Sequence, residues 1–163
     1  MRMALKLSVV LLAFLELGAS VTAQKLADKK TLTLAVAKQI ASAAETEAAQ
    51  NKFTVVIAVV DDGGNLIYLE RMDDTQIGSL EVAQAKAHTA VAFKRPTRTF
   101  QDALAGGNMG ILKLPGVLAT EGGLPIVADG KIVGAIGVSG GTSAQDASAA
   151  QAGVNALPKI LAQ

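Results

Sequence analysis

The residue types in this chain that can carry chemistry are few and widely spaced. Gly137-Val-Ser-Gly-Gly141 has the G-x-S-x-G spacing that presents a serine nucleophile on a strand-to-helix turn. That chemistry needs a histidine after the serine as its base, and the sole histidine, His88, precedes it. Serine hydrolysis is therefore set aside. Gly134, Gly137 and Gly140 do not have G-x-G-x-x-G spacing, and no βαβ unit with a distal acidic residue follows, so dinucleotide binding fails on context. Ser139-Gly-Gly-Thr-Ser143 leads into a helix whose free N–H groups could hold a carboxylate or phosphate. The simpler reading is a structural cap, with Ser143 and Asp146 at capping-box spacing.

Richer in signal is the helix expected from Ser79 to about Phe93. At about 100° per residue its positions sort into stripes. Leu80, Ala83, Ala87, Ala90 and Val91 form the core stripe; Glu81, Gln84 and His88 flank it on one side, and Val82, Lys86, Thr89 and Phe93 on the other. Lys86 and His88 point roughly 160° apart and do not share a site easily. An ammonium set between Val82 and Phe93 is costly to bury alone, so an anionic ligand or a carboxylate is a natural partner for Lys86. A snorkelling lysine is the competing reading. His88 beside Gln84 and Glu81 reads as a solvated or hydrogen-bonded side chain, or as a metal ligand.

Around this helix the pattern predicts the order α-ββ-α-ββ-α. Asp28 or Thr31 can cap a first helix running to about Asn51, with Leu34, Ala37, Ile40, Ala41 and Ala44 at helical spacing. Phe53–Val60 is a β-branched run, Asp61–Asn65 a turn, and Leu66–Arg71 an alternating run, which together read as a hairpin. Pro96-Thr-Arg-Thr99 precedes a short helix ending near Leu104, and residues 105–123 read as irregular. Leu124–Ala128, Asp129-Gly130 and Lys131–Val138 make a second hairpin, followed by a helix from Ser143 to about Leu157. Hairpins in place of crossovers imply an antiparallel sheet with helices packed on it, an α+β sandwich. In the last strand Ile132, Ile136 and Val138 are expected on one face. Ala135, Gly137 and Ser139 leave the other shallow enough for a helix or a flat ligand.

Composition narrows the setting. Arg2 and Lys6, the apolar run Leu7–Leu15, and small residues at Val21-Thr-Ala23 match a secretory signal peptide cut after Ala23, leaving one domain over 24–163. A largely apolar run of nine residues ended by Glu16 falls short of the roughly 20 a membrane span needs, so no stable membrane span is expected. With Arg2, Lys6 and Glu16 removed the formal charge falls from +1 to zero, and no basic run marks a nucleic-acid surface. The absence of cysteine excludes thiolate metal sites and Cys nucleophiles and leaves the fold to its core of small apolar residues. The expected location is secreted or periplasmic.

Lys86-Ala-His-Thr-Ala90 with Phe93 and Pro96-Thr97, Gly122-Gly-Leu-Pro-Ile126, Asp129–Gly141 and Asp146 together resemble the GlcG/HbpS-like family of haem-binding proteins, over about residues 28–160. A related domain is fused to a corrinoid adenosyltransferase. The resemblance implies an α/β sandwich with an antiparallel sheet of about five strands, homo-oligomers built from dimers, and a tetrapyrrole, haem first, as the small-molecule ligand. The fifth strand would lie in residues 105–123. By position the resemblance points to Arg71, Lys86, Thr89, Pro125, Val138, Ser139, Gly140 and Asp146 around a pocket between the second helix and the final strand. For iron, His88 is the assigned ligand, with Tyr68, Met72 and Met109 the other axial-ligand types after the leader. Arg71, Lys86, Arg95 and Arg98 are available to pair with haem propionates. The expectation is an exported haem-binding protein. The alternative is an enzyme acting on a small organic acid or aromatic metabolite, with Lys86 as a base in an apolar pocket. A third is an interaction protein with no ligand of its own.

Overall fold

The computed structural model of the chain describes residues 25, 26 and 28–162, so the leader expected over 1–23 lies outside the described residues. Helix α1, Leu34–Gln50, is capped neither by Asp28 nor by Thr31 but by Thr33, whose hydroxyl accepts the Val36 N–H at 3.3 Å. Its buried stripe is Ala37, Ile40, Ala41, Ala44 and Ala48, while Leu34 stays half exposed. Strands β1, Val56–Asp61, and β2, Leu66–Arg71, form the first hairpin. The Asp61 carboxylate closes its turn by accepting the N–H groups of Gly63 and Asn65, both at 2.8 Å. Hydrogen bonds led by the Asn65 amide hold this carboxyl below the usual carboxylate range.

Helix α2 spans Ser79–Ala92 and α3 spans Arg98–Ala105. Strands β3, Gly123–Ala128, and β4, Lys131–Ser139, make the second hairpin, and α4, Ser143–Leu161, completes the order. The sheet is antiparallel throughout in the order β2-β1-β4-β3. It has four strands among the described residues where about five were expected. The stretch that would have held the fifth carries a 3-10 turn, Met109–Lys113, and irregular chain. Pro115 and the glycines at 106, 107, 110 and 116 break any alternation there.

One sheet face is covered by α1 and α4, the other by α2. Val55, Ile57, Val59, Ile126, Ile136 and Val138 meet α1 and α4, whereas Val56, Ala58, Val60 and Ala135 meet Ala83, Ala87, Ala90 and Val91 of α2. The shallow face of β4 is thus filled by a helix. A Cβ on Gly137 would collide with the Ala83 carbonyl oxygen and the Ala87 nitrogen, so α2 lies against the strand at backbone distance. Ile132 does not share a face with Ile136. Ile126 pairs with Gly134 and Val127 with Ile132, which leaves Val133 as an extra residue in β4. This bulge flips the pleat, so Ile132 turns to the α2 side and Val133 to the α1/α4 side.

The last helix starts one residue earlier in its capping logic than expected. Thr142 is the N-cap, its hydroxyl accepts the Gln145 N–H at 3.3 Å, and the Gln145 side chain accepts the Thr142 N–H at 2.9 Å. The capping box is therefore Thr142 and Gln145 rather than Ser143 and Asp146, which frees Asp146 for another role. No helix of the described residues is long and apolar enough to cross a membrane.

Candidate functional site

The helical face of α2 that carries Lys86 turns toward the end of β4 and the first turn of α4. There the Lys86 ammonium pairs with Asp146 Oδ2 at 2.7 Å and donates to the Val138 carbonyl at 2.9 Å. The other Asp146 oxygen accepts the Gly141 N–H at 2.9 Å. The two side chains are 1% and 4% exposed, which makes this an internal ion pair rather than a rim of a pocket. Burial pushes the Asp146 carboxyl above the ordinary carboxylate range, against the opposing pull of the Lys86 ammonium and the Gly141 and Gly140 N–H groups. Gly122 seals the pair: a Cβ there would stand 2.9 Å from Lys86 Nζ and 2.9 Å from Asp146 Cβ. The partner that a buried lysine requires is thus a carboxylate of the chain itself. An enclosed, paired ammonium is poorly placed to act as a base on a metabolite.

The other positions expected around this pocket are also committed to the fold. The Thr89 hydroxyl donates to the Gly116 carbonyl at 3.1 Å and accepts the Leu118 N–H at 2.9 Å, which clamps the 116–118 loop onto α2. The hydroxyls of Ser139 and Ser79 are hydrogen-bonded at 3.2 Å across β4 and α2. Pro125 sits in edge strand β3 opposite Ala135, where its missing N–H is tolerated. Gly140 passes so close to Thr54 that a Cβ would meet its carbonyl oxygen. Lys86, Val138, Gly140 and Asp146 are brought together, with Ser139 beside them in chain, and the space between them is protein. Two buried polar residues of this region carry no site role in the sequence reading: Ser79 enters it as a helix start and Thr97 as one of the residues of the resemblance. The Thr97 hydroxyl accepts the Gly123 N–H at 2.9 Å, and the Ser79 hydroxyl meets that of Ser139.

Arg71 and His88 lie on the opposite flank of α2. Arg71 pairs in register with Val56, a member of the α2-side cluster, so its side chain leaves the sheet on the α2 face, and it is exposed. His88 is exposed as well. Its ring stands between two glycines of separate loops: a Cβ on Gly64 would lie 3.0 Å from His88 Cδ2, and one on Gly116 would lie 3.6 Å from Cε1. Both glycines have positive φ, 84° and 73°, so the loops reach the ring without side chains in the way.

The remaining iron-ligand and propionate candidates sort by what they already touch. The Tyr68 hydroxyl donates to Glu70 Oε2 at 2.7 Å, and Lys38 stands 5.9 Å from the centre of its ring. Met72 packs on the α1/α4 core, and Met109 is 61% exposed on the 3-10 turn. Arg98 is paired with Glu121 and Asp102, and Arg95 lies over the Phe100 ring at 5.8 Å. Arg71 forms none of the ion pairs found among the described residues. Among the described residues no group of three or more His, Asp or Glu side chains stands together as a metal site. A separate cleft lies between the two hairpin turns and the end of α2, lined by Asp62, Val91, Lys94, Gly130, Lys131 and Ile132.

Comparison with known proteins places this geometry. Residues 32–155 match the family model described as haem degrading protein HbpS-like. Protein GlcG of Escherichia coli strain K12 is 41% identical over 111 residues, covering 68% of this chain and 83% of GlcG. The crystal structure of HbpS superposes with a TM-score of 0.75 at 37% identity, over 82% of this chain and 94% of that one. That of a PduOC:heme complex superposes with a TM-score of 0.71 at 33% identity, over 77% and 94%.

Proposed function

We propose that this chain, which belongs to the HbpS-like family, binds haem or a related tetrapyrrole, and does so on its surface rather than within the Lys86–Asp146 assembly. The observation that carries this reading is the family match over residues 32–155, joined to a solved haem complex of the same fold covering 77% of the chain. Bound haem would supply an iron centre able to take axial ligands and change oxidation state. The residues present suit such a group at two points: His88 has an exposed imidazole, and Arg71 an exposed guanidinium without an acidic partner among the described residues. Lys86 and Thr89 are engaged by groups of the chain itself, which favours haem binding at the surface over Lys86 acting as the base of an enzyme.

The leader-like pattern over residues 1–23 supports export of a single domain, 24–163, to a secreted or periplasmic location. A homo-oligomer is part of the same reading, since among the described residues no further strand pairs with the outer side of β2 or β3, where another copy could add. Titration of the purified domain with hemin is expected to give a saturable Soret shift with one site per chain. A shift no larger than that of an unrelated protein of similar size would end the haem reading.

A further inference from the structure

The geometry points to the groove between α2 and β2 as the seat of the tetrapyrrole, a proposal that rests on the haem reading above. Helix α2 packs over β4, β1 and β3, so β2 lies beside it rather than beneath it. The residues of β2 that share the α2 face follow from the ladder. Leu66 pairs with Val60, Leu69 with Ala58 and Arg71 with Val56, and all three partners belong to the α2-side cluster. Opposite residues in an antiparallel pair project to the same face, so Leu66, Leu69 and Arg71 form a row along the groove floor. Leu66 is 47% exposed and Leu69 partly buried, an apolar strip that the chain leaves incompletely covered.

The facing wall is the helical ridge Leu80, Gln84, His88, spaced four residues apart and therefore stacked along one side of α2. Leu80 packs on the same cluster as Leu69. Gln84 turns its amide back onto the Leu80 carbonyl at 2.9 Å, which takes its polar end out of the groove. The ridge rises roughly 12 Å from Leu80 to His88, and β2 advances about 16 Å from Leu66 to Arg71. The strands fix the polarity of the groove. Gly64, in the turn leading into Leu66, touches His88, so the imidazole stands at that end. Arg71 stands at the other, beside Ser139 across Val56 and hence beside Ser79 at the start of α2.

An imidazole at one end, a strip of leucines along the floor and an unpaired guanidinium at the other end match the three parts of haem. The iron takes a nitrogen ligand, the porphyrin face takes apolar contact, and a propionate takes a cation. The glycines at 64 and 116 let their loops close on the imidazole with no side chain between, and Thr89 holds the 116–118 loop in place at its side. His88 is the iron ligand in this arrangement and Arg71 the propionate partner.

The test is a set of hemin titrations on the mature chain and its variants, each first shown folded by circular dichroism and thermal melting. His88→Ala is expected to weaken binding about tenfold or more and to shift the Soret and visible bands. Added free imidazole should restore the wild-type spectrum, which a merely structural role would not produce. Arg71→Glu should weaken binding several-fold without altering the iron-ligand bands. Lys94→Glu and Lys131→Glu, in the other cleft, should bind like wild type. Wild-type chain that binds no hemin overturns the haem reading itself. Wild-type chain that binds while His88→Ala and Arg71→Glu match it overturns the groove alone, and loss confined to Lys94→Glu or Lys131→Glu moves the seat to the cleft.

Discussion

Replacing Lys86 by methionine isolates the contribution of its ammonium, because the stem is retained in near-constant volume while the charge is removed. What remains is the Asp146 carboxylate, 3% exposed, with the Gly141 N–H at 2.9 Å and no cation. Breaking one side of a buried ion pair costs about 3–5 kcal/mol, and burial this complete calls for no reduction for solvent screening. Against a typical domain stability of about 5–15 kcal/mol that is about a fifth of the total or more. At about 3–5 °C per kcal/mol for a domain of this size the midpoint should fall by roughly 10–25 °C. Urea unfolding followed by circular dichroism measures it. Asp146→Asn alone should lose a similar amount, whereas the double variant should return to within about 2 kcal/mol of wild type, since a neutral pair removes the stranded charge. At a temperature where the Lys86→Met chain is folded, its hemin affinity should stay within about threefold of wild type, because the pair lies outside the groove. A single variant within about 1 kcal/mol of wild type, or a double variant showing the full sum of the two losses, would refute the assignment of Lys86 and Asp146 as an internal pair.

Three further perturbations test other parts of the structure. Burial holds the Glu70 carboxyl above its usual range, and Glu70 Oε1 has no hydrogen-bond partner. The folded chain therefore holds that proton more tightly than the unfolded one. The stability it contributes is complete below the ordinary carboxylate value, about 4, and is lost as pH rises through the raised one. Glu70→Gln should accordingly melt higher than wild type at pH 7, with the gap closing as pH falls below about 4; a gap independent of pH rejects the idea. Gly137→Ala should cost about 3 kcal/mol, because its Cβ meets the α2 backbone. Gly78→Ala, with nothing within 4 Å of the added carbon, should change the urea midpoint little. Thr142→Ala should lose about 1 kcal/mol with the cap of α4, and Ser143→Ala much less, a contrast that thermal melts can read directly.

The elements were legible where a period ran uninterrupted: the β-branched run into β1, the Ala-rich stripes of α1 and α2, and the Asp-Gly turn between β3 and β4 all lie where the pattern puts them. What escaped was set by single residues or by contacts distant in the chain. One extra residue at Val133 reverses the pleat with no mark in composition, so strict alternation puts Ile132 on the wrong face. Thr142 and Ser143 are both good caps, and it is Gln145, three residues after Thr142, that decides between them. The partner of Lys86 lies 60 residues further along, beyond anything helical spacing can report.

The stripes of α2 did separate Lys86 from His88, and this is the geometry with the widest consequence. Because α2 meets β4 through alanines and Gly137, its core contact is smooth, and side-chain interlocking does little to set its rotation about its own axis. Polar anchors set that rotation instead: Lys86 to Asp146 and Val138 on one flank, and Thr89 to the 116–118 loop beside it. Lys86 with Asp146, and His88 with Arg71, therefore stand on two sides of one helix. The first pair and Thr89 anchor α2 separately, so removal of the pair alone leaves His88 held beside β2 by Thr89 and the 116–118 loop.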